Sequence, residues 1–185
     1  LYVSFNKGRS WEIFGTDLPN VAMHDLVIQK REKDLIVGTH GRSIYLADIT
    51  LLQKLKPEKF NKIVLGEIKT IKASKRWGSK DFNPYGDYYE PEQNIQLYVP
   101  KNEIVKVSIQ TKEGKVLKEW NNNLEKGISM INYDLSMSEK GKKVLRKDDI
   151  TIKEADNGTY YLPKGKYNVV VSQGDLSAET ELVIK

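Results

Sequence analysis

Antiparallel β-structure, an all-β fold, is what this sequence predicts, on three observations. Short apolar or alternating runs recur about every ten residues, with turn residues between them. Tyrosines outnumber phenylalanines by 10 to 4, which suits half-covered pleated surfaces. Only two short stretches read as helix. The 185 residues suffice for one domain or two small ones, and 39% hydrophobic with 30% charged residues is the balance of a folded chain rather than a disordered one.

The elements follow in order. Leu1–Ser4 is a strand, Phe5–Arg9 a polar turn and Ser10–Phe14 a second strand. Leu18, Pro19 and Asn20 mark a loop. Asp25–Ile28, Leu35–Thr39 and Ser43–Ile49 are strands, separated by the charged turn Lys30–Asp34 and the Gly-centred turn His40–Arg42. Thr50 is placed to cap a short helix through Leu51, Leu52 and Leu55, which Pro57 ends. Ile63, Val64, Leu65 and Ile68 read as a connecting strand within 61–72. Residues 73–93 are rich in Ser, Lys, Gly, Asn, Pro and aromatics and read as an irregular surface loop.

From Asn94 the alternation returns in Ile95–Val99, Ile104–Gln110, Val116–Trp120 and Gly127–Leu135. A polar, lysine-rich stretch with a short helix near Lys142–Arg146 intervenes, and then Thr159–Leu162, Lys166–Ser172 and Ala178–Ile184 follow. About seven strands in about 90 residues is the size of an immunoglobulin- or fibronectin-III-like β-sandwich. The organisation is therefore 1–60, then 61–93 as connecting strand and linker, then 94–185 as the sandwich.

Composition removes several function classes. No cysteine is present, so disulfides, thiolate metal sites and cysteine nucleophiles are excluded. With only His24 and His40, a histidine metal site would need carboxylates, and no metal or cofactor is expected. No apolar run approaches the ~20 residues of a membrane-spanning helix. Thirty Lys+Arg against 25 Asp+Glu leave a net charge of +5, scattered rather than clustered, which does not point to nucleic acid.

The most informative motif is Ser4-Phe5-Asn6-Lys7-Gly8-Arg9-Ser10-Trp11, which fits S-x-[DN]-x-G-x-[ST]-W. Asn6 can hydrogen-bond the backbone of a tight turn, and Gly8 can take a positive φ. Ser4 and Ser10 can satisfy backbone groups where the strands leave the turn. Trp11 is expected to cover the hairpin and pack into the sheet. The pattern is similar to the Asp-box of bacterial neuraminidase (BNR) repeats, with Asn6 in place of the usual acid. Leu18-Pro19-Asn20-Val21, His24-Asp25-Leu26, Asp34–Arg42 and Ile44-Tyr45-Leu46 strengthen the likeness to BNR-repeat, sortilin-like propeller proteins. Trp77, Asn83-Pro84, the strand after Gly127 and Pro163–Tyr167 extend it more loosely to the end of the chain.

That resemblance implies partial β-propeller blades. Leu1–Ser4 and Ser10–Phe14 would be the two outer strands of one blade, and the next three strands would belong to the following one. It implies that the Asp-box residues are structural, and that the chain is the C-terminal part of a longer, exported protein whose remaining blades are its first partner. Leu1, standing in a strand-like run, is read the same way. Members of this group are often labelled glycosyl hydrolases. The alternative is thus an accessory region of a glycoside hydrolase whose active site lies upstream.

Candidate ligand contacts are His40 and Arg42, flanking Gly41, and Trp77, Tyr85, Tyr88 and Tyr89 in the linker. His40 and Arg42 either meet an anion at a propeller face or simply form a turn. The linker aromatics, with Phe82, either seal the seam between the two regions or stack on a glycan or protein ligand. His24-Asp25 does not form a triad, because strand neighbours point to opposite faces. Asp81, Asp87, Glu90 and Glu92 lack a fixed separation for glycosidase chemistry and the spacing of a calcium loop. Lys140, Lys142, Lys143, Arg146 and Lys147, bracketed by Glu139, Asp148 and Asp149, read as a solvated turn or helix. Asn157-Gly158-Thr159 matches a glycosylation sequon but reads first as a turn. No catalytic residue set is assembled, and Arg9, Arg31, Arg42, Arg76 and Arg146 are too dispersed to form an arginine cluster.

Overall fold

Period-two alternation decides which side chains share a sheet face, and turn chemistry decides where each strand ends. The computed structural model describes residues 1–14, 18, 20–80, 83, 85–147 and 151–185. Pro19, Asp81, Phe82, Pro84, Asp148 and Asp149, singled out above, lie outside the described residues. The fold is all-β, and every pairing between named strands is antiparallel.

Strands β1 (Tyr2–Val3) and β2 (Glu12–Ile13) form a two-stranded ribbon. Strands β3 (Met23–Gln29), β4 (Asp34–Thr39) and β5 (Ile44–Asp48) form a separate meander with β4 in the centre. Lys33 takes φ 59° in the turn between β3 and β4, and Gly41 takes φ 69° in the turn before β5. Helix α1 (Thr50–Lys54) follows at once. Thr50 is its first residue rather than its cap. The cap position falls on Ile49, which has no side-chain acceptor, and Asp48 Oδ1 takes the Thr50 N–H at 2.8 Å instead. Pro57 opens a single 3-10 turn to Lys59.

Seven further strands follow: β6 (Val64–Leu65), β7 (Gln93–Val99), β8 (Glu103–Gln110), β9 (Val116–Leu124), β10 (Gly127–Tyr133), β11 (Gly165–Gln173) and β12 (Leu176–Ile184). They make two sheets, ordered β10-β7-β6 and β12-β11-β8-β9. Ile95, Leu97 and Val99 of the first meet Val105, Val107, Ile109, Val169, Val171 and Leu182 of the second in one buried core. Burying an aliphatic side chain contributes roughly 1.5–3 kcal/mol, so this shared core is where the stability resides.

The linker is only partly irregular. Its connecting strand shrinks to β6, because after Gly66 N–H bonds Gln96 O at 2.8 Å the chain crosses to the other sheet. There Ile71 bridges Ile184 in parallel, and Ile71 and Lys185 exchange the register with bonds of 2.8–2.9 Å to Ile71 O and Val183 O. Thr159–Leu162, expected as a strand, is reduced to a bridge between Ser136 and Tyr161. Helix α2 (Glu139–Lys147) packs on β9. Ser138 joins the two: its Oγ donates to Leu117 O at 2.8 Å and accepts the Gly141 N–H at 3.0 Å. Gly141 lies so close that a Cβ there would overlap the Leu117 carbonyl.

Among the described residues, aromatics outside the linker close the seam between the first region and the two sheets. Tyr98, on the outer face of β7, meets Phe60 at 5.8 Å between centroids, and Phe60 meets Phe5 at 4.8 Å. Gln96 Nε2 donates to Asp48 O at 3.0 Å, and Lys126 pairs with Glu12 at 3.2 Å. Burial first, and then the Glu12 carboxylate, pushes the Tyr98 phenol above its ordinary pKa.

Candidate functional site

The Asn6 turn uses its side chains on itself. Ser4 Oγ accepts the Gly8 N–H at 2.6 Å and donates to Asn6 Oδ1 at 3.1 Å. Asn6 Oδ1 accepts the Ser10 N–H at 2.9 Å, and Asn6 Nδ2 donates to Ser10 Oγ at 2.8 Å. Lys7 and Gly8, at φ 60° and 83°, are consecutive left-handed residues, which this net of bonds holds in place. Trp11 departs from expectation. It lies against Gly8 but is 61% exposed, because a ribbon with two residues per strand offers no sheet face to enter.

The two histidines, read separately from sequence, come together: the rings of His24 and His40 stack at 5.0 Å. Their strands pair at Met23 and Thr39, and the register shift at Met23/Asp25 displaces His24. Asp25 Oδ1 accepts the Leu26 N–H at 2.9 Å. Arg42 is exposed beyond the turn. Among the described residues, no group of three or more His, Asp or Glu is placed to hold a metal ion.

The linker aromatics are dispersed. Trp77 packs on Tyr161 at 5.9 Å, Tyr88 lies under the Lys80 ammonium at 4.9 Å, and Tyr89 under the Arg76 guanidinium at 5.1 Å. Tyr85 is 95% exposed. The Lys80–Tyr88 bridge and the bond from Gly78 N–H to Tyr89 O, 2.8 Å, hold Gly78 and Lys80 beside Tyr88 and Tyr89. Asn157 joins the end of the linker to Tyr161: its Nδ2 donates to Glu90 Oε1 at 3.0 Å and to Tyr161 Oη at 2.9 Å, which makes the sequon a structural turn. The basic run is not wholly solvated either. Lys142 is buried, with its ammonium 3.5 Å from the Tyr160 ring centroid and 2.9 Å from Glu139. Tyr160 first, and then Glu139, raise its pKa.

One assembly was not visible in the sequence. Lys118 and Trp120 on β9 meet Asn132, Tyr133 and Asp134 at the end of β10, and Glu90, Pro91 and Glu92 complete a cleft of about 410 Å³. Trp120 stacks on Tyr133, centroids 5.3 Å apart and planes 24° apart. The Lys118 ammonium sits 5.7 Å from the Trp120 ring and 5.4 Å from Tyr133, and donates to Asp134 Oδ1 at 2.8 Å and to Ser136 Oγ. Burial alone would raise the Asp134 pKa. Lys118 and Ser136 outweigh it and hold the carboxyl below its ordinary value. Burial pushes the Tyr133 phenol well up, so its hydroxyl stays protonated and donates to Ser136 O at 2.6 Å. The signal in the sequence was the Lys118-x-Trp120 alternation at the end of a strand. That spacing places both side chains on one face but not beside the distant carboxylates.

No family model matches the chain, and no curated protein matches it. Among the described residues, no helix is long and apolar enough to cross a membrane.

Proposed function

We propose that the chain is a non-catalytic binding and scaffolding module, the C-terminal end of a larger, exported BNR-repeat propeller protein. The observation that carries this reading is the three-stranded sheet β3-β4-β5, which is apolar on both faces. Val27, Ile44 and Leu46 are exposed on one face, Leu26 and Ile28 on the other, with Ile44 at 74% and Leu46 at 67%. A propeller blade is covered on both faces by its neighbours, and sheets apolar on both sides are built for such a setting. The division into a two-stranded ribbon and a three-stranded sheet accords with the ends of two successive blades. The Asn6 turn accords with an Asp-box in a structural role.

The two-sheet unit is read as a fibronectin-III-like sandwich. Its order β10-β7-β6 over β12-β11-β8-β9 supports that, and so does Tyr167. Near the start of β11, the Tyr167 hydroxyl donates back to Pro163 O at 2.7 Å, as in the tyrosine corner of such sandwiches. In this reading the sandwich braces the last blade and presents a binding surface.

An antibody against the two-sheet unit, used on extract and medium of source cells, tests the proposal. A band several times larger than 21.2 kDa in the exported fraction is expected. A band at 21.2 kDa overturns it.

A further inference from the structure

We infer that the cleft between β9 and β10 is a saccharide site, accepting a neutral pyranose unit of a glycan. This names a ligand class for the binding role proposed above. It rests on that role and not on the propeller. β9 and β10 are each the last strand of their sheets, so the sandwich is open on this side. A cavity of about 410 Å³ falls within the range of small-ligand sites.

Charge and shape select the ligand. Three carboxylates, Glu90, Glu92 and Asp134, face one ammonium, Lys118, already bound to Asp134. A polyanion is therefore repelled. An organic cation on these rings would lie beside the Lys118 ammonium, whose like charge repels it, whereas an uncharged ligand meets no such repulsion. A purely apolar ligand would strip water from the carboxylates and leave nothing in exchange. A neutral polyol meets both demands: its C–H face lies on the Trp120 indole, and its hydroxyls donate to the carboxylates. Tyr133 stacks behind the indole and fixes its orientation, so less ordering is required on binding. Asn122, two residues further along the same face of β9, has a buried Nδ2 with no hydrogen-bond partner.

The test is mobility of the full chain in native gels containing soluble polysaccharides. Galactomannan, xyloglucan, mixed-linkage β-glucan and dextran are the neutral probes; polygalacturonate and heparin are the charged ones. Retardation by at least one neutral polymer is expected, with Kd raised about tenfold or more by Trp120→Ala. Glu92→Gln, on an exposed residue, raises Kd severalfold at unchanged Tm, so the result does not hinge on how Trp120→Ala folds. Retardation by no neutral polymer overturns the inference. So does equal retardation of the parent chain and both variants, or retardation by a charged polymer alone. None of these three outcomes alters the size of the native gene product, so failure of the glycan site and failure of the module reading are told apart.

Discussion

The first 60 residues and the two-sheet unit beyond them are written in the same alternating pattern, yet they bury it differently. In β11, Tyr167, Val169 and Val171 alternate with half-covered residues, and the opposing sheet closes over them. In β3, Leu26, Val27 and Ile28 are exposed in succession, although from Asp25 to Gln29 the strand pairs in continuous register with β4. Alternation states which side chains share a face. It does not supply the second layer that covers the face, and two- or three-stranded sheets without one are marginal in water.

The contrast can be broken by truncating the same side chain in each region. Leu97→Ala empties a fully buried site between the sheets, at an expected cost of about 2–5 kcal/mol. Leu46→Ala trims a largely exposed residue and should shift stability by no more than about 0.5 kcal/mol. Urea unfolding measures both. A large loss from Leu46→Ala would mean that something covers β3-β4-β5 in solution.

A smaller effect sharpens the comparison at α2, which is seated on β9. Gly141→Ala gains about 1 kcal/mol of helix propensity but drives its Cβ into the Leu117 backbone. Overpacking costs about 1–3 kcal/mol, and backbone cannot swing aside as a side-chain tip can, so a net loss is expected. A higher melting temperature for Gly141→Ala would unseat α2 from β9.

The smallest effect concerns Tyr167. Burial pushes its phenol up to about 12 from an ordinary value of 10.0. The folded state thus favours the neutral phenol. This contribution is intact below pH 10 and is lost as pH rises from 10 towards 12. Tyr167→Phe removes the bond to Pro163 O at a cost of about 1 kcal/mol and flattens the fall in stability above pH 10. Tyr133, also raised by burial, retains part of that fall. An unchanged alkaline slope in Tyr167→Phe would mean that the phenol is not sequestered.

Local chemistry was legible residue by residue. Ser4, Asn6, Gly8 and Ser10 lie within seven positions of one another, so their bonds follow from spacing. Ile95–Val99, Ile104–Gln110 and Lys166–Ser172 were legible because one face of each is wholly apolar. Less legible were contacts whose partners stand far apart in the chain. Sealing the seam was one of two readings of Trp77, Phe82, Tyr85, Tyr88 and Tyr89, the other being ligand contact; among the described residues Phe5, Phe60 and Tyr98 fill it, 93 positions from end to end. Lys142 read as one member of a solvated run, since nothing nearby announces that Tyr160 will lie beneath it.

The sequence by itself determined the all-β class, the antiparallel neighbours and the Asn6 turn, because period, turn residues and short-range hydrogen bonds act over a few positions. Tertiary structure alone decided that Trp11 stays in water, that His24 stacks on His40, and that Trp120 and Lys118 meet Asp134, Glu90 and Glu92. Those outcomes depend on which strands stand at sheet edges and which faces find a second layer. Both are set by the packing of the whole chain rather than by any segment within it.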